Sequence, residues 1–330
     1  MRFKSAGVAA IAVAALALTA CSGGTASTDE GPSNSGASSE AFPVTVSTEF
    51  GDVTVEEKPV RIVALGWGDA ETALALGVQP VGASDWLSFG GEGVGPWAEG
   101  LYDTAPEIIE TLEPSYEAIA ALEPDLILDT KSSGDQERYD KLSSIATTVG
   151  VPEGKTSYLT TMEEQLDLVS SALGLQEKGD ELLAEVDATY EEAAAAHPEW
   201  EGLTVSAATK TSEGWGAYIE GSERVTFLER LGFVQSPEIA ALPANSTGFS
   251  VDISGEQLDL LDADLIVAFP IFIPTTEITE DPLFAAIPAV AAGHSVVIDG
   301  DISAAYSLGT TLAAKYSIEN LVPKIADALG

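Results

Sequence analysis

A single cysteine, Cys21, is all the chain offers for disulfide chemistry, so no bridge can form within it. Histidine is nearly as scarce, with only His197 before a proline and His294 in an Ala-Gly-His turn. Zinc and manganese sites draw on several histidines or clustered carboxylates, which makes a naked transition-metal site a poor fit. Positive charge is short as well: 14 lysines and arginines face 53 aspartates and glutamates, for a formal net charge of −39. Such a surface repels phosphate backbones and anionic headgroups and steers cations inward, which argues against nucleic acid as a partner. The apolar run Ala6–Ala20 stops short of the roughly 20 residues a helix needs to cross a bilayer. Catalytic signatures are missing too. There is no Gly-x-Ser-x-Gly elbow, no His-Glu-x-x-His and no Walker loop, and Leu65-Gly66-Trp67-Gly68-Asp69-Ala70-Glu71 lacks the third glycine of a dinucleotide fingerprint. These gaps speak against an enzyme.

What remains is a globular composition over 330 residues, 45% hydrophobic and 20% charged, enough for one large core or two smaller ones. Arg2 and Lys4 ahead of the short apolar run read as an export signal over residues 1–20. The run ends in Leu18-Thr19-Ala20-Cys21, which resembles the bacterial lipobox and implies a diacylglyceryl group on the Cys21 sulfur. The bland alternative is a free or buried thiol. Residues 21–41 hold no aromatic or large aliphatic side chain and read as a flexible tether of roughly 25 Å. Two of the 14 basic residues lie in the signal, so removing it leaves 12 against 53 acidic ones, a formal charge of −41.

From Phe42 the pattern alternates short apolar strands with helices. Residues 44–58 read as a hairpin around Gly51-Asp52, and Arg61–Gly66 as a buried strand. Asp69 is placed to cap a helix that Gly77 stops, and Pro80–Ser84 follows as a strand. Tyr116–Leu122, Asp125–Asp129 and Gln136–Thr147 form another unit. A helical region covers 161–198, weakened near Gly174 and Gly179 and ended by Pro198. A second alternating half, 199–330, opens at Leu203–Ala207 and closes with Leu308–Leu329, where Pro323 is expected to bend or break the helix. Strand-helix alternation implies mainly parallel sheets, hence two α/β lobes, 42–160 and 199–330, joined by one long helix.

Segments 61–86 (RIVALGWGDAETALALGVQPVGASDW), 117–128 (EAIAALEPDLIL) and 281–299 (DPLFAAIPAVAAGHSVVID) resemble the extracytoplasmic solute-binding proteins of ABC importers for ferric siderophores and cobalamin. The resemblance, lipobox included, covers nearly all the chain beyond the signal. It implies two Rossmann-like α/β lobes joined by one long rigid helix, with ligand held between them. It further implies a monomer, anchored by Cys21 to the outer face of the cell membrane, that delivers cargo to permease subunits with their ATPase.

The unit from Ser115 to Leu128 matches Ser254 to Val267 at six of fourteen positions, with Glu117 and Glu256 in step. Each serine suits a helix N-cap and each glutamate suits a first turn, which alone could explain both copies. The resemblance adds a second reading, in which Glu117 and Glu256 dock one on each permease subunit through arginines. Residues just past strand ends are the candidates for lining a crevice. They are Trp67, Trp86, Lys131 and Ser132 from the first half, and Trp215, Tyr218, Phe249, Phe269, Phe272 and Tyr306 from the second. Any one of them could instead be ordinary core.

A chelated ferric ion needs shape and charge complementarity rather than protein ligands, so neither a cofactor nor a direct metal site is expected. Lys131, Lys210, Arg138 and Arg224 are the only cations near the candidate loops. This scarcity favours a neutral or cationic hydroxamate-type complex over a tris-catecholate. Heme or cobalamin is the alternative cargo within the same importer class, with Tyr218 or Tyr306 available to ligate heme iron. A sensory or adhesive surface lipoprotein without transport is the rival from a different class.

Overall fold

A computed structural model describes residues 41–155 and 158–330. The expected signal, Cys21 and all but the last residue of the expected tether lie outside the described residues.

The first lobe opens with a hairpin, β1 (Val44–Thr48) and β2 (Gly51–Val55), paired Thr48 to Gly51. Its turn is Glu49-Phe50, two residues before the Gly51-Asp52 expected from the sequence. Phe50, half-buried, stacks on Tyr139 at 4.0 Å and 12°, and Gly51 leaves the turn with a left-handed φ of 103°. Five strands follow: β3 (Ile62–Ala64), β4 (Gly82–Ser84), β5 (Glu107–Ile109), β6 (Leu126–Leu128) and β7 (Thr147–Val149). They form one parallel sheet in the order β5-β4-β3-β6-β7. Between them run α1 (Asp69–Ala75), α2 (Tyr116–Ala121) and α3 (Gln136–Ser143). The uninterrupted apolar runs of β3 and β6 suit strands covered on both faces. Side chains alternate accordingly: Ile62, Leu126 and Leu128 enter one core cluster, and Val63, Ile127 and Leu65 another.

The linking region consists of two helices, α4 (Met162–Ala172) and α5 (Gln176–Ala196), separated at Gly174. Thr161 and Glu164 close a capping box on α4. Gly179 does not interrupt α5. Helix α4 packs within the first lobe through Leu166, Val169 and Ala172. Helix α5 makes the crossing: Leu182 packs on the first lobe's core, Val186 and Tyr190 are buried in the second lobe's, and Leu183 packs on both. At about 1.5 Å per residue its length is roughly 30 Å.

The second lobe has β8 (Thr204–Thr211), β9 (Gly214–Tyr218), α6 (Glu223–Glu229), β10 (Val234–Gln235), α7 (Pro237–Ala240) and β11 (Ser250–Ile253). A 3-10 segment (Gly255–Leu261), β12 (Leu265–Pro270), α8 (Thr276–Thr279), α9 (Pro282–Ala285), α10 (Pro288–Ala292), β13 (Ser295–Val297), α11 (Gly300–Leu308) and α12 (Thr311–Leu329) follow. The sheet order is β11-β9-β8-β12-β13, with β10 beside the start of β8. Strands β8, β10, β12 and β13 are parallel, whereas β9 and β11 run against their neighbours. The closing helix breaks at Gly309 (φ 63°) and then runs unbroken through Pro323. Pro323 is exposed, so water can serve the carbonyl it leaves unbonded.

Candidate functional site

In the first lobe, the connections from β3 and β6 leave toward opposite ends of the sheet, which makes the gap between them a topological switch point. The loops there are Leu65–Gly68 and Asp129–Ser133, and one buried carboxylate ties them together. Asp69 accepts from Gly66 N–H at 2.9 Å, Thr130 N–H at 3.0 Å, Gln165 Nε2 at 2.7 Å and the Thr130 hydroxyl. Burial pushes its pKa up to about 6 against the pull of these donors. The expected helix cap is therefore a staple between loops, and Gly68 takes the N-cap position. Gly66 is required by proximity: a Cβ there would collide with the Asp69 carboxylate and stand 2.9 Å from the Lys131 amide nitrogen. Trp67 N–H donates to Lys131 O at 2.8 Å, which joins the two loops through their backbones.

Both lobes line a cleft of about 600 Å³. On the first lobe Trp67 meets Trp86 at 5.5 Å, and Trp86 meets the edge of Tyr158 at 5.5 Å. Trp86 Nε1 donates to Leu65 O at 2.8 Å, fixing the ring. On the second lobe Tyr218 lies parallel to Phe249 and Phe269, with centroids 6.2 and 5.9 Å away. Arg224, at the start of α6, spreads over Tyr218 at 4.2 Å and reaches across to Trp67 at 5.7 Å. Lys131 and Glu223 form a second contact between lobes, 3.8 Å apart with both side chains nearly buried. Burial pushes the lysine pKa down and the glutamate pKa up, each opposed by the other's charge. A Cβ on Gly309 would collide with the Glu223 side chain, so the break before α12 also makes room for this carboxylate.

Seven of the ten residues singled out by sequence line this cleft: Trp67, Trp86, Lys131, Tyr218, Phe249, Phe269 and Phe272. Three do not. Ser132 is buried and donates to Asp129 O at 3.2 Å. Trp215 faces the other side of the β9 strand, stacked on Phe284 at 5.1 Å with Nε1 toward Asp281. Tyr306 is enclosed between Phe227 and Phe269, and its hydroxyl donates to Arg224 O at 2.6 Å, supporting the arginine from behind. Burial raises that phenol's pKa strongly, so it is a poor candidate for a heme ligand. Of the other cations considered, Lys210 is held by Asp281 at 2.8 Å and Arg138 by both oxygens of Asp129. Tyr158, Leu112, Ser222 and Glu223 also line the cleft without having been singled out. Their strands β5, β7 and β9 were not read from the sequence, so their positions past strand ends gave no signal.

Residues 62–302 match the family described as periplasmic binding protein. The chain belongs to this family. It is 30% identical over 264 residues to the probable siderophore-binding lipoprotein YfiY of Bacillus subtilis, covering 78% of this chain and 76% of that one. It is 24% identical over 277 residues to the Fe(3+)-citrate-binding protein YfmC of the same organism, covering 78% of each. The crystal structure of PiaA from Streptococcus pneumoniae in complex with ferrichrome superposes with a TM-score of 0.74 at 27% identity, over 87% of this chain and 98% of PiaA.

In this periplasmic binding protein both repeated glutamates are exposed in the first turn of their segments. The two copies differ in form. Ser115 Oγ accepts from Ala118 N–H and caps α2, whereas Ser254 Oγ donates to Gln257 Oε1 at 2.9 Å and the chain beyond it is a kinked 3-10 segment. The expected cap at Ser254 is thus absent, because its hydroxyl is drawn to a side chain. Side-chain capping by the serine is made at Ser115 and not at Ser254, while each glutamate keeps its first-turn position.

Proposed function

We propose that this protein is the solute-binding component of an ABC importer, that it captures a ferric siderophore between its lobes, and that it presents the complex to a permease served by an ATPase. The observation that carries the reading is the cleft itself: about 600 Å³, walled by tryptophan, tyrosine and phenylalanine from both lobes, in a chain of this family. Such a volume suits a bulky organic chelate, and aromatic walls supply apolar area without offering ligands to the metal. Trp67, Trp86, Lys131, Tyr218, Phe249, Phe269 and Phe272 are the ligand-facing residues of this proposal, joined by Tyr158 and Arg224. The relatives named for siderophore and ferric citrate binding support the cargo class.

Glu117 and Glu256 serve as docking knobs, each meeting an arginine on one permease subunit. Cys21 carries the lipid that holds a monomeric receptor at the outer face of the membrane. Among the described residues no helix is long and apolar enough to cross it. Mass spectrometry of the ligand retained by the exported protein after growth under iron limitation tests the proposal. An iron chelate is expected; heme, cobalamin or an empty cleft would overturn it, the last in favour of a sensory or adhesive role.

A further inference from the structure

Three polar groups on the cleft wall are buried without acceptors. Lys131 Nζ stands 3.8 Å from its nearest carboxylate oxygen, beyond hydrogen-bond reach, and has no other partner. Ser222 Oγ and Arg224 Nε are likewise buried and unpartnered. Leaving such a group unsatisfied costs about 1–3 kcal/mol. The fold readily satisfies its cations elsewhere: Lys210 has Asp281, and Arg138 has Asp129 and the Thr111 carbonyl. Buried hydroxyls of Ser84, Tyr102, Tyr190, Ser206, Thr311 and Ser317 also lack partners, so what sets the cleft apart among the described residues is that its unpartnered groups belong to two cationic side chains. Lys131 comes from the first lobe and Ser222 and Arg224 from the second, and all three residues line the cleft. Arg224 lies with its guanidinium 4.2 Å from the Tyr218 ring centroid, a contact that does not consume the N–H donors of the group.

The charges point the same way. Two cations and one carboxylate, Glu223, line the cleft, a surplus of one positive charge inside a protein whose formal net charge is −39. A neutral hydroxamate complex would leave that surplus uncompensated, and a cationic one would be repelled by it. A triply charged tris-catecholate would exceed it. Carboxylate oxygens suit both requirements, because they accept from ammonium, hydroxyl and guanidinium donors alike.

Building on the ferric-siderophore reading, we infer that the cleft selects a ferric complex of low negative charge with outward-facing carboxylate oxygens, the hydroxycarboxylate class, received by Lys131, Ser222 and Arg224. This replaces the neutral or cationic hydroxamate class expected from the sequence, where Arg224 could not be told from the cations that the fold consumes elsewhere.

The test is equilibrium titration of tryptophan fluorescence, reporting from Trp67 and Trp86, with ferric citrate and ferrichrome as probes. Ferric citrate is expected to bind at least tenfold more tightly than ferrichrome and to weaken as salt rises. Arg224→Gln and Ser222→Ala are expected to weaken ferric citrate by tenfold and threefold respectively, and ferrichrome by less than threefold. Unchanged near-ultraviolet circular dichroism checks that each variant is folded. Tighter binding of ferrichrome, equal losses for both probes, or binding of neither overturns the inference. The mass of the retained natural ligand separates the two claims: a hydroxamate chelate sinks this inference alone, whereas absence of any iron chelate sinks the siderophore reading with it.

Discussion

Gly66→Ala offers a clean perturbation of the cleft's foundation. Two effects oppose each other. Gly66 does not adopt the left-handed backbone, so alanine can take its conformation, and reduced freedom in the unfolded chain would stabilise by about 0.4–1 kcal/mol. Against this, the new Cβ would overlap the Asp69 carboxylate and press on the Lys131 amide nitrogen at 2.9 Å. Neither neighbour is a free end of a flexible side chain. Asp69 is held by four donors and Lys131 N is backbone. Relief requires the carboxylate to retreat, weakening its bonds to Gly66 N–H and Thr130 N–H, at about 1.5–3 kcal/mol each for charged acceptors. The sum is a net loss of about 2–5.5 kcal/mol. Urea unfolding measures it, with Gly255→Ala as the control, since a Cβ there meets only Leu283 Cδ1 at an ordinary 3.7 Å. Ligand affinity should fall tenfold or more, because Trp67 and Lys131 stand on the displaced loops. A variant within 0.5 kcal/mol of the parent, at unchanged affinity, would refute the idea that this junction is close-packed around Asp69.

Acidity should matter at the same carboxylate. Folded Asp69 keeps its proton to about pH 6, whereas the unfolded group releases it near 3.8, so the folded state binds more protons between those values. Its contribution is fully present below about 3.8 and is lost as pH rises through 6, a change of about 3 kcal/mol. The stability gap between the parent and Asp69→Ala should therefore narrow from pH 4 to pH 7.5; a constant gap would disprove the raised pKa. Trp215→Phe should leave ligand affinity within twofold while lowering the unfolding midpoint, as its indole is stacked on Phe284 and bonded to Asp281 outside the cleft. Loss of affinity on that change would place the ligand elsewhere. The double variant Glu117→Arg/Glu256→Arg should abolish iron uptake by cells while the dissociation constant of the isolated receptor stays within twofold. Normal uptake would remove the docking role.

Strands covered on both faces announce themselves as apolar runs, and the loops that follow them inherit a predictable place. Hence Trp67 and Lys131, one loop past β3 and β6, could be assigned to a crevice without coordinates. The strands that escaped notice have mixed composition. β7 is Thr-Thr-Val, and β9 carries glycine at both 214 and 216, so neither has the periodicity of a buried strand. With them went Tyr158, Ser222 and Glu223, while Arg224 was read only as one of four cations near the candidate loops. Tyr306 illustrates the opposite failure. It lies on α11, soon after β13, but the helix turns its ring into the core, where it holds Arg224 instead of meeting a ligand. Sequence position gives the neighbourhood of a side chain, and only packing decides which way it faces.

The boundary between the lobes is itself a packed interior. Glu71, from the first lobe, accepts from Gly95 N–H, Trp97 Nε1 and the Thr310 hydroxyl at the head of α12, while Trp97 lies against Tyr316 on that helix. Helix α5 carries Leu183 into both cores. Neither half can therefore melt and leave its neighbour intact, so calorimetry should register one heat-absorption peak rather than two. A fragment cut after residue 160 would be born with raw apolar surface where its missing partner belongs, and would clump before it could fold.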